Sequence, residues 1–223
     1  MKADYWLERW QEGRIGFHRA DANPRLIEYH KALGDAVRVL VPLCGKSVDL
    51  EWLVVHGFEV VGVELSELAA QAFFAERDLR PERHQQGSFV AYQHGNVTIL
   101  VGDFFEARGE ELGYFDGVYD RAAMIALPDD LRARYAAHLQ TLLTPKAKLL
   151  LVTLHYDAQG GPPFSVTPEE VTAAYAGAAH ISLLASIDAR ADAPGPVERG
   201  ASFVHENVYE IAFEPASAEK NVN

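Results

Sequence analysis

The hydrophobic pattern of the chain alternates between short apolar runs and longer segments with apolar residues three or four positions apart. The first two apolar runs, 37–42 and 59–64, are rich in β-branched residues, as buried parallel strands are. The segments after them, 49–54 and 68–73, place their apolar residues at helical spacing. This order of strand and helix predicts a parallel sheet with helices on both faces.

The same alternation continues through the rest of the chain. The turn sequence His94-Gly95-Asn96 joins two of the later apolar runs and predicts a hairpin. The last two runs are joined by residues 188–200, which contain Pro and Gly and no clear helical pattern. We therefore predict an α/β fold, Rossmann-like and doubly wound, with a mostly parallel seven-stranded sheet and an antiparallel C-terminal edge hairpin. The later segments predicted as strands are 89–92, 97–101, 115–121, 147–154, 181–187 and 203–213.

Before this pattern begins, the chain has an N-terminal segment of a different kind. Trp6 and Trp10 are four positions apart and share one face of a predicted helix. A polar stretch follows, up to Asn23-Pro24. That pair indicates a helix start, because Asn can cap a helix and Pro suits the first turn.

Composition limits the kinds of protein that the chain can be. Its 223 residues suit one domain spanning 1–223, and its net charge of −12 repels nucleic acid and anionic membranes. No apolar run approaches the roughly 20 residues that span a bilayer. The single cysteine, Cys44, excludes an internal disulfide and a cysteine-rich zinc site. We expect a cytoplasmic monomer that binds a small molecule and no metal.

The carboxyl ends of the first two predicted strands carry residues suited to a nucleoside. Ligands of doubly wound sheets lie beyond these ends. The first strand leads into Leu43-Cys44-Gly45, where glycine lets a ligand approach the backbone, and the second ends at Glu64. A carboxylate there can accept both hydroxyl hydrogens of a ribose; a solvated strand end is the alternative. Since no GxGxxG pattern is present, a nucleoside without phosphate, such as S-adenosylmethionine, fits better than a dinucleotide.

Other motifs in the sequence are weaker. Gly45-Lys46-Ser47 resembles the end of a phosphate-binding loop, but that pattern needs a glycine at position 40, which is Leu40. Asp103-Phe104 ends a strand, where it can hold an adenine or simply belong to the core. Asp120-Arg121 ends the next strand, and both a structural and a functional role stay open for this charged pair. Neither a metal-binding histidine pattern nor a GxSxG motif is present.

Six segments of the sequence carry a series of motifs in a fixed order: 6–18, 41–47, 61–66, 102–105, 119–123 and 161–164. Together they resemble the thiopurine S-methyltransferase family, and its bacterial branch most closely. The similarity runs from about residue 5 to residue 213. It implies a class I methyltransferase fold and methyl transfer from S-adenosylmethionine to the sulfur of a small aromatic or heterocyclic thiol, in detoxification.

The resemblance also implies roles for particular residues. Arg121 is implied to be catalytic and to contact both ligands, and residues 1–23 are implied to cover the active site. A second substrate-side arginine of the mammalian enzyme has no clear counterpart, since Arg190 and Arg199 lie only near its place. The implied cofactor contacts are Trp10, Leu43, Glu64, Asp103, Phe104 and Arg121, and the implied substrate contacts are Phe17, Arg121 and Pro163.

Other functions remain open at this point. Methyltransferases for halide, thiocyanate, selenium or tellurium share the fold and the motifs. A non-catalytic S-adenosylmethionine-binding protein is a second alternative, although an N-terminal segment that closes an acceptor pocket argues against it. A NAD-linked oxidoreductase is disfavoured by the missing glycine fingerprint.

Overall fold

The computed structural model of the chain describes residues 3–16 and 18–214. Within these residues the backbone forms one nine-stranded sheet, nine α-helices and two short 3₁₀ helices, His30–Leu33 and Phe104–Glu106. The strands are β1 (Arg38–Pro42), β2 (Glu59–Glu64), β3 (Glu82–Gln86), β4 (Phe89–His94), β5 (Val97–Val101), β6 (Phe115–Asp120), β7 (Leu143–Tyr156), β8 (His180–Asp188) and β9 (Val204–Ala212). The helices are α1 (Ala3–Gln11), α2 (Pro24–Tyr29), α3 (Val48–Val55), α4 (Glu67–Ala75), α5 (Gly109–Leu112), α6 (Ala123–Ala126), α7 (Asp129–Gln140), α8 (Pro168–Ala174) and α9 (Pro194–Glu198).

The strand order in the sheet is β3-β4-β5-β2-β1-β6-β7-β9-β8. The five central strands, from β5 to β7, are parallel to one another. Strand β9 runs antiparallel between β7 and β8, which places the predicted C-terminal hairpin at one edge. The chain reverses its direction of winding between β1 and β6, which is the point where ligands of such sheets bind.

The predicted number of seven strands is wrong for the described residues. All eight segments predicted as strands lie in the sheet, and β3 is a ninth strand, beyond β4. The predicted hairpin of β4 and β5 is present, and β3 pairs antiparallel with β4 outside it. The sequence of β3, Glu-Arg-His-Gln-Gln, is polar throughout, and most of it is exposed. A strand with water on both faces has no hydrophobic alternation, so the pattern could not predict it.

The connection 188–200 also differs from the prediction, since it contains the short helix α9. Pro194 stands in the first turn of this helix and Pro196 is buried. Proline suits a first helical turn because its missing N–H has no partner there in any case. Five residues are too few for an apolar periodicity to be recognised.

The core lies in two layers, one on each face of the central strands. Alternate residues of each strand point to opposite faces. In β1, Leu40 packs towards the side of α7, while Val39 packs towards the side of α3 and α4. Both side chains are fully buried. The apolar runs that predicted these strands are therefore explained by burial on two faces.

Close packing between β2 and the turn after β1 fixes the position of the ligand-binding edge. Gly62 lies in the middle of β2, and a Cβ atom there would lie 2.5 Å from the Sγ atom of Cys44. Cys44 is itself buried, and burial raises the pKa of its thiol well above the ordinary value. The cysteine therefore fills space as a neutral side chain.

We predict that Gly62→Ala lowers the free energy of unfolding by about 1–3 kcal/mol, because the new methyl group overpacks against Cys44. Urea denaturation measures this change. Adding Cys44→Ala removes the Sγ atom and should restore part of the loss. Gly177→Ala is the control, since a Cβ there meets its nearest atom at 3.9 Å. Equal unfolding free energies for the two single variants would contradict the packing argument.

Candidate functional site

A cavity of about 590 Å³ opens at the carboxyl ends of the parallel strands. Its wall is built by the turns after β1, β2, β5 and β6, by the end of β7 and by the N-terminal segment. The structure brings the described site residues predicted from the sequence together around this one cavity. Phe17 lies outside the described residues. The lining includes Trp10, Leu43, Glu64, Asp103, Phe104, Arg121 and Pro163.

Glu64 ends β2 as a buried carboxylate that holds two backbone turns. Its Oε2 atom accepts a hydrogen bond from the N–H of Gly45 at 2.8 Å, and its Oε1 atom accepts one from the N–H of Ser66 at 2.8 Å. Burial raises the pKa of Glu64, while these amide hydrogen bonds oppose the rise. A carboxylate has about four acceptor directions, and Leu65 contributes a third backbone amide, so acceptor capacity is left for a hydroxyl group of a ligand.

The turn between β1 and α3 has an unusual backbone. Leu43 has φ 50° and Gly45 has φ 55°, both in the left-handed region. A Cβ atom on Gly45 would lie 3.2 Å from the ring of Trp10, so the indole of α1 packs directly on this turn. Only glycine allows this close approach without strain. The N-terminal helix is thereby attached to the same turn that donates to Glu64.

The Gly-Lys-Ser sequence in this turn has structural partners. Lys46 is buried and forms an ion pair with Glu76 at 2.5 Å. The Oγ atom of Ser47 accepts from the N–H of Asp49 at 3.2 Å and caps α3. Both side chains are thus occupied by the fold, which agrees with the rejection of a phosphate-binding loop.

Asp103 and Phe104 occupy different environments after β5. Asp103 is exposed, and its carboxylate accepts from the N–H of Phe105 at 2.9 Å, which caps a 3₁₀ helix. The ring of Phe104 is buried, with its centroid 5.3 Å from the rings of both Tyr135 and His138. Phe104 thus belongs to the core and also faces the cavity, and its contact with an adenine stays a prediction.

Asp120 and Arg121, at the end of β6, have separate surroundings. The Asp120 carboxylate is fully buried, accepts from the Tyr135 hydroxyl at 2.7 Å, and accepts from the N–H groups of Ala123 and Met124 at 3.0 and 3.3 Å. Burial raises the pKa of Asp120 to about 6, and these hydrogen bonds oppose the rise. Arg121 lines the cavity and has no hydrogen bond or ion pair with another described residue. Asp120 therefore shapes the turn that presents the Arg121 guanidinium.

The proline loop that contributes Pro163 is held by Tyr156 and Arg199. The Tyr156 hydroxyl donates to the carbonyl oxygen of Pro163 at 2.6 Å, and the Arg199 guanidinium donates to the Tyr156 oxygen at 3.0 Å. Arg199 does not line the cavity. Arg190 is exposed and pairs with Asp188. Neither arginine near the place of the mammalian one reaches the cavity wall.

His18 and Arg19 line the cavity although the sequence analysis assigned them no role. Burial lowers the pKa of His18, the charge of Lys46 adds to this effect, and Arg77 and Arg121 act in the same direction, whereas Glu76 opposes. The one feature of the sequence that could have indicated a role for His18 is its position directly after Phe17, which is an implied substrate contact.

Two further findings concern the described residues. In residues 3–16 and 18–214, no three histidine, cysteine or carboxylate side chains are grouped as metal ligands. Among the same residues, no helix has the length and apolar character needed to cross a membrane.

Comparison with solved structures places the fold in a known class. The chain superposes on a Burkholderia thailandensis 1,6-didemethyltoxoflavin-N1-methyltransferase, crystallised with S-adenosylhomocysteine, with a TM-score of 0.66 at 18% identity, covering 95% of this chain and 87% of the other. A methyltransferase from Anabaena variabilis gives a TM-score of 0.63 at 14% identity, covering 95% of each chain. The fold is that of the class I S-adenosylmethionine-dependent methyltransferases, and the predicted fold class is confirmed.

Sequence comparison then identifies the family. The family model described as thiopurine S-methyltransferase matches residues 1–214. A thiopurine S-methyltransferase of Pseudomonas aeruginosa is 46% identical over 213 residues, which is 94% of this chain and 98% of that protein. One from Pseudomonas fluorescens is 44% identical over 217 residues, 96% of this chain and all of that protein. The chain belongs to the thiopurine S-methyltransferase family, a family of S-adenosylmethionine-dependent methyltransferases.

Asp120 gives the site a measurable pH dependence. Because its pKa in the folded protein lies near 6, against 3.8 ordinarily, the folded chain keeps a proton between about pH 4 and pH 6 that the unfolded chain has lost. Its contribution to stability therefore falls as the pH rises through this range, by up to about 3 kcal/mol.

We predict that Asp120→Asn, which cannot ionise, gains stability relative to the wild type by about 2–3 kcal/mol between pH 4 and pH 7.5. Denaturant unfolding at the two pH values measures this difference. Asp129→Asn, at an exposed position on α7, is the control, and its difference from the wild type should stay within about 0.5 kcal/mol. An Asp120→Asn difference that does not change with pH would show that the buried carboxyl group does not titrate in this range.

Proposed function

We propose that the protein transfers a methyl group from S-adenosylmethionine to the sulfur of small aromatic or heterocyclic thiols. One observation carries the proposal: the Glu64 carboxylate, with acceptor directions left over, and the Arg121 guanidinium, without a partner among the described residues, line the same cavity. Membership in the thiopurine S-methyltransferase family supports it. The natural acceptor is a small molecule that fits this cavity.

The residues around the cavity suit a nucleoside without phosphate. Glu64 lies at the end of β2, where it can accept from a ribose hydroxyl. Phosphate lacks its usual site here, because Ser47 already caps α3. Trp10 and Leu43 supply apolar walls next to Glu64. Once bound, S-adenosylmethionine would supply a methyl group attached to a sulfonium sulfur.

The residues of the chain contribute mainly position and charge to such a reaction. Displacement at a methyl carbon needs the acceptor sulfur in line with the bond that breaks, and holding that alignment supplies much of the rate. The positive charge of Arg121 lowers the pKa of a nearby thiol and so favours its thiolate. The proton of the thiol passes to solvent. Pro163 completes the acceptor side in this proposal, and the substrate contact of Phe17, which lies outside the described residues, stays a prediction.

We propose that residues 1–23 cover the site and exclude water from it. Three contacts of the described part of this segment support the proposal. Trp10 packs on Gly45, and the N–H of Asn23 donates to the Asp49 carboxylate at 2.7 Å. Between these two contacts, the Arg19 guanidinium donates at 3.4 Å to the carbonyl oxygen of Asp192, which also lines the cavity.

The proposal includes a cytoplasmic monomer that detoxifies thiols and binds neither nucleic acid nor membranes, in keeping with the net charge of −12. Methyl transfer to halide, thiocyanate, selenium or tellurium acceptors is the alternative within the same chemistry. A protein that binds S-adenosylmethionine without catalysis is the alternative outside it.

Incubation with labelled S-adenosylmethionine and a panel of aryl thiols, 6-mercaptopurine, iodide and selenite tests the function. We expect label on the thiols and not on iodide or selenite. In the same assay, Arg121→Ala should lower kcat on the thiols by about 10–100-fold, because a charge-assisted contact to the acceptor is lost, while its melting temperature stays near that of the wild type. Label on iodide or selenite alone, or binding of S-adenosylmethionine without transfer to any acceptor, would overturn the proposal.

We predict that Glu64→Ala raises the Kd for S-adenosylhomocysteine by about 10–100-fold, because charge-assisted hydrogen bonds to the ribose are lost. Isothermal titration calorimetry measures the affinity, and a thermal melt checks the fold, since the amides of Gly45 and Ser66 lose their acceptor. Glu206→Gln is the matched control, because Glu206 also lines the cavity but pairs with Arg25. Unchanged affinity in a folded Glu64→Ala protein would remove Glu64 from the cofactor site.

A further inference from the structure

Three arginine side chains line the cavity, Arg9, Arg19 and Arg121. Arg9 donates to the Tyr5 hydroxyl at 3.2 Å, and the other two come from different parts of the fold. Arg121 follows β6, whereas Arg19 belongs to the N-terminal segment, and both are half-buried. The one hydrogen bond of the Arg19 side chain to a described residue is a long one, 3.4 Å, to the backbone oxygen of Asp192. Among the described residues, neither guanidinium lies within ion-pair distance of a carboxylate.

The carboxylates that line the cavity do not neutralise these two arginines. Glu64 accepts from two backbone amides, and Glu206 forms an ion pair with Arg25 at 2.7 Å. Asp103 and Asp192 are exposed. A half-buried cation without a counter-ion loses part of its hydration without compensation, so a bound anion would be stabilised beside it.

His18, next to Arg19 in the chain, has several cationic neighbours. Burial is the first cause that lowers its pKa, and Lys46 is the second. Arg77 and Arg121 add to the effect, and Glu76 is the one group that opposes it. A chain with a net charge of −12 thus places Lys46, Arg77 and Arg121 near His18, at the wall that Arg19 also lines.

We propose that Arg19 binds a carboxylate of the methyl acceptor, so that the preferred acceptors are aromatic thiols that also carry an anionic group. This inference rests on the proposed function. A guanidinium suits this task because its planar donors match the two oxygens of a carboxylate. Arg121 remains beside the reacting sulfur, and Arg19 holds the acceptor through a group that does not react. S-adenosylmethionine also carries a carboxylate, so the test must separate the two sources.

The test compares 4-mercaptobenzoate with its methyl ester, which has the same ring and thiol but no anionic group. In the wild type we expect a lower KM for 4-mercaptobenzoate than for the ester. Arg19→Gln should raise the KM for 4-mercaptobenzoate about tenfold and change the KM for the ester less than twofold, because one charge-assisted contact is lost from a partly solvated site. Arg19→Lys, which keeps the charge, should restore part of the preference.

Calorimetry supplies a readout that does not depend on turnover. We expect Arg19→Gln to weaken binding of 4-mercaptobenzoate to the protein loaded with S-adenosylhomocysteine about tenfold, and to leave the Kd of S-adenosylhomocysteine unchanged. If the enzyme methylates neither thiol, the proposed function fails, but this comparison of binding still tests Arg19. Arg14→Gln is the matched control, since Arg14 lies in the same segment, pairs with Glu12 and does not line the cavity. We expect wild-type behaviour from it.

Three results would overturn the inference. Weaker binding of S-adenosylhomocysteine by Arg19→Gln, with an unchanged acceptor preference, would assign Arg19 to the carboxylate of the cofactor. An equal loss for 4-mercaptobenzoate and its ester would assign Arg19 to closure of the N-terminal segment through Asp192. No change with either acceptor would show that the guanidinium does not contact the ligand.

Discussion

The ligand-binding edge of this protein depends on one buried carboxylate. Glu64 is the last residue of β2, and it accepts the backbone N–H of Gly45 from the turn after β1 and the N–H of Ser66 before α4. These amides are at loop positions where no strand or helix partner satisfies them, so removal of the carboxylate would leave two donors without acceptors. The same interaction that orders the two turns also fixes the direction of the remaining acceptor positions. Structure and ligand binding therefore use the same side chain.

Other features of the cavity follow from this arrangement. Since Gly45 is held at φ 55° by its bond to Glu64, its open face is available, and Trp10 packs there. The N-terminal helix is thus placed by the turn that it covers. On the other side of the turn, Cys44 fills the space that the absent side chain of Gly62 leaves open.

The parts of the molecule that could be predicted from the sequence are those with a recognisable local pattern of apolar and charged residues. Strands β1 and β2 are buried on both faces and were recognisable as apolar runs, and Glu64 was recognisable as an acidic residue at a strand end. Strand β3 is polar and exposed, so it carries no such pattern. Arg19 could not be found for a different reason. Arg19 lies at the cavity because of the way the N-terminal segment folds across the sheet. That placement depends on tertiary contacts, which the spacing of residues along the chain does not predict.

The separation of Arg19 from Arg121 has a chemical consequence. A guanidinium beside the reacting sulfur favours the thiolate, but it also stabilises that thiolate before reaction and so reduces its nucleophilicity, as a lowered thiol pKa does in general. Transfer of a methyl group from a sulfonium to a thiolate removes both charges, so the contact with Arg121 helps by forming the thiolate, while any stronger stabilisation of the charged reactants would oppose the step. A contact to a group that does not react has no such cost, because it is equally strong before and during transfer. Binding through Arg19, away from the sulfur, would hold and align the acceptor while the apolar wall of Trp10, Leu43 and Phe104 keeps the reacting atoms away from water.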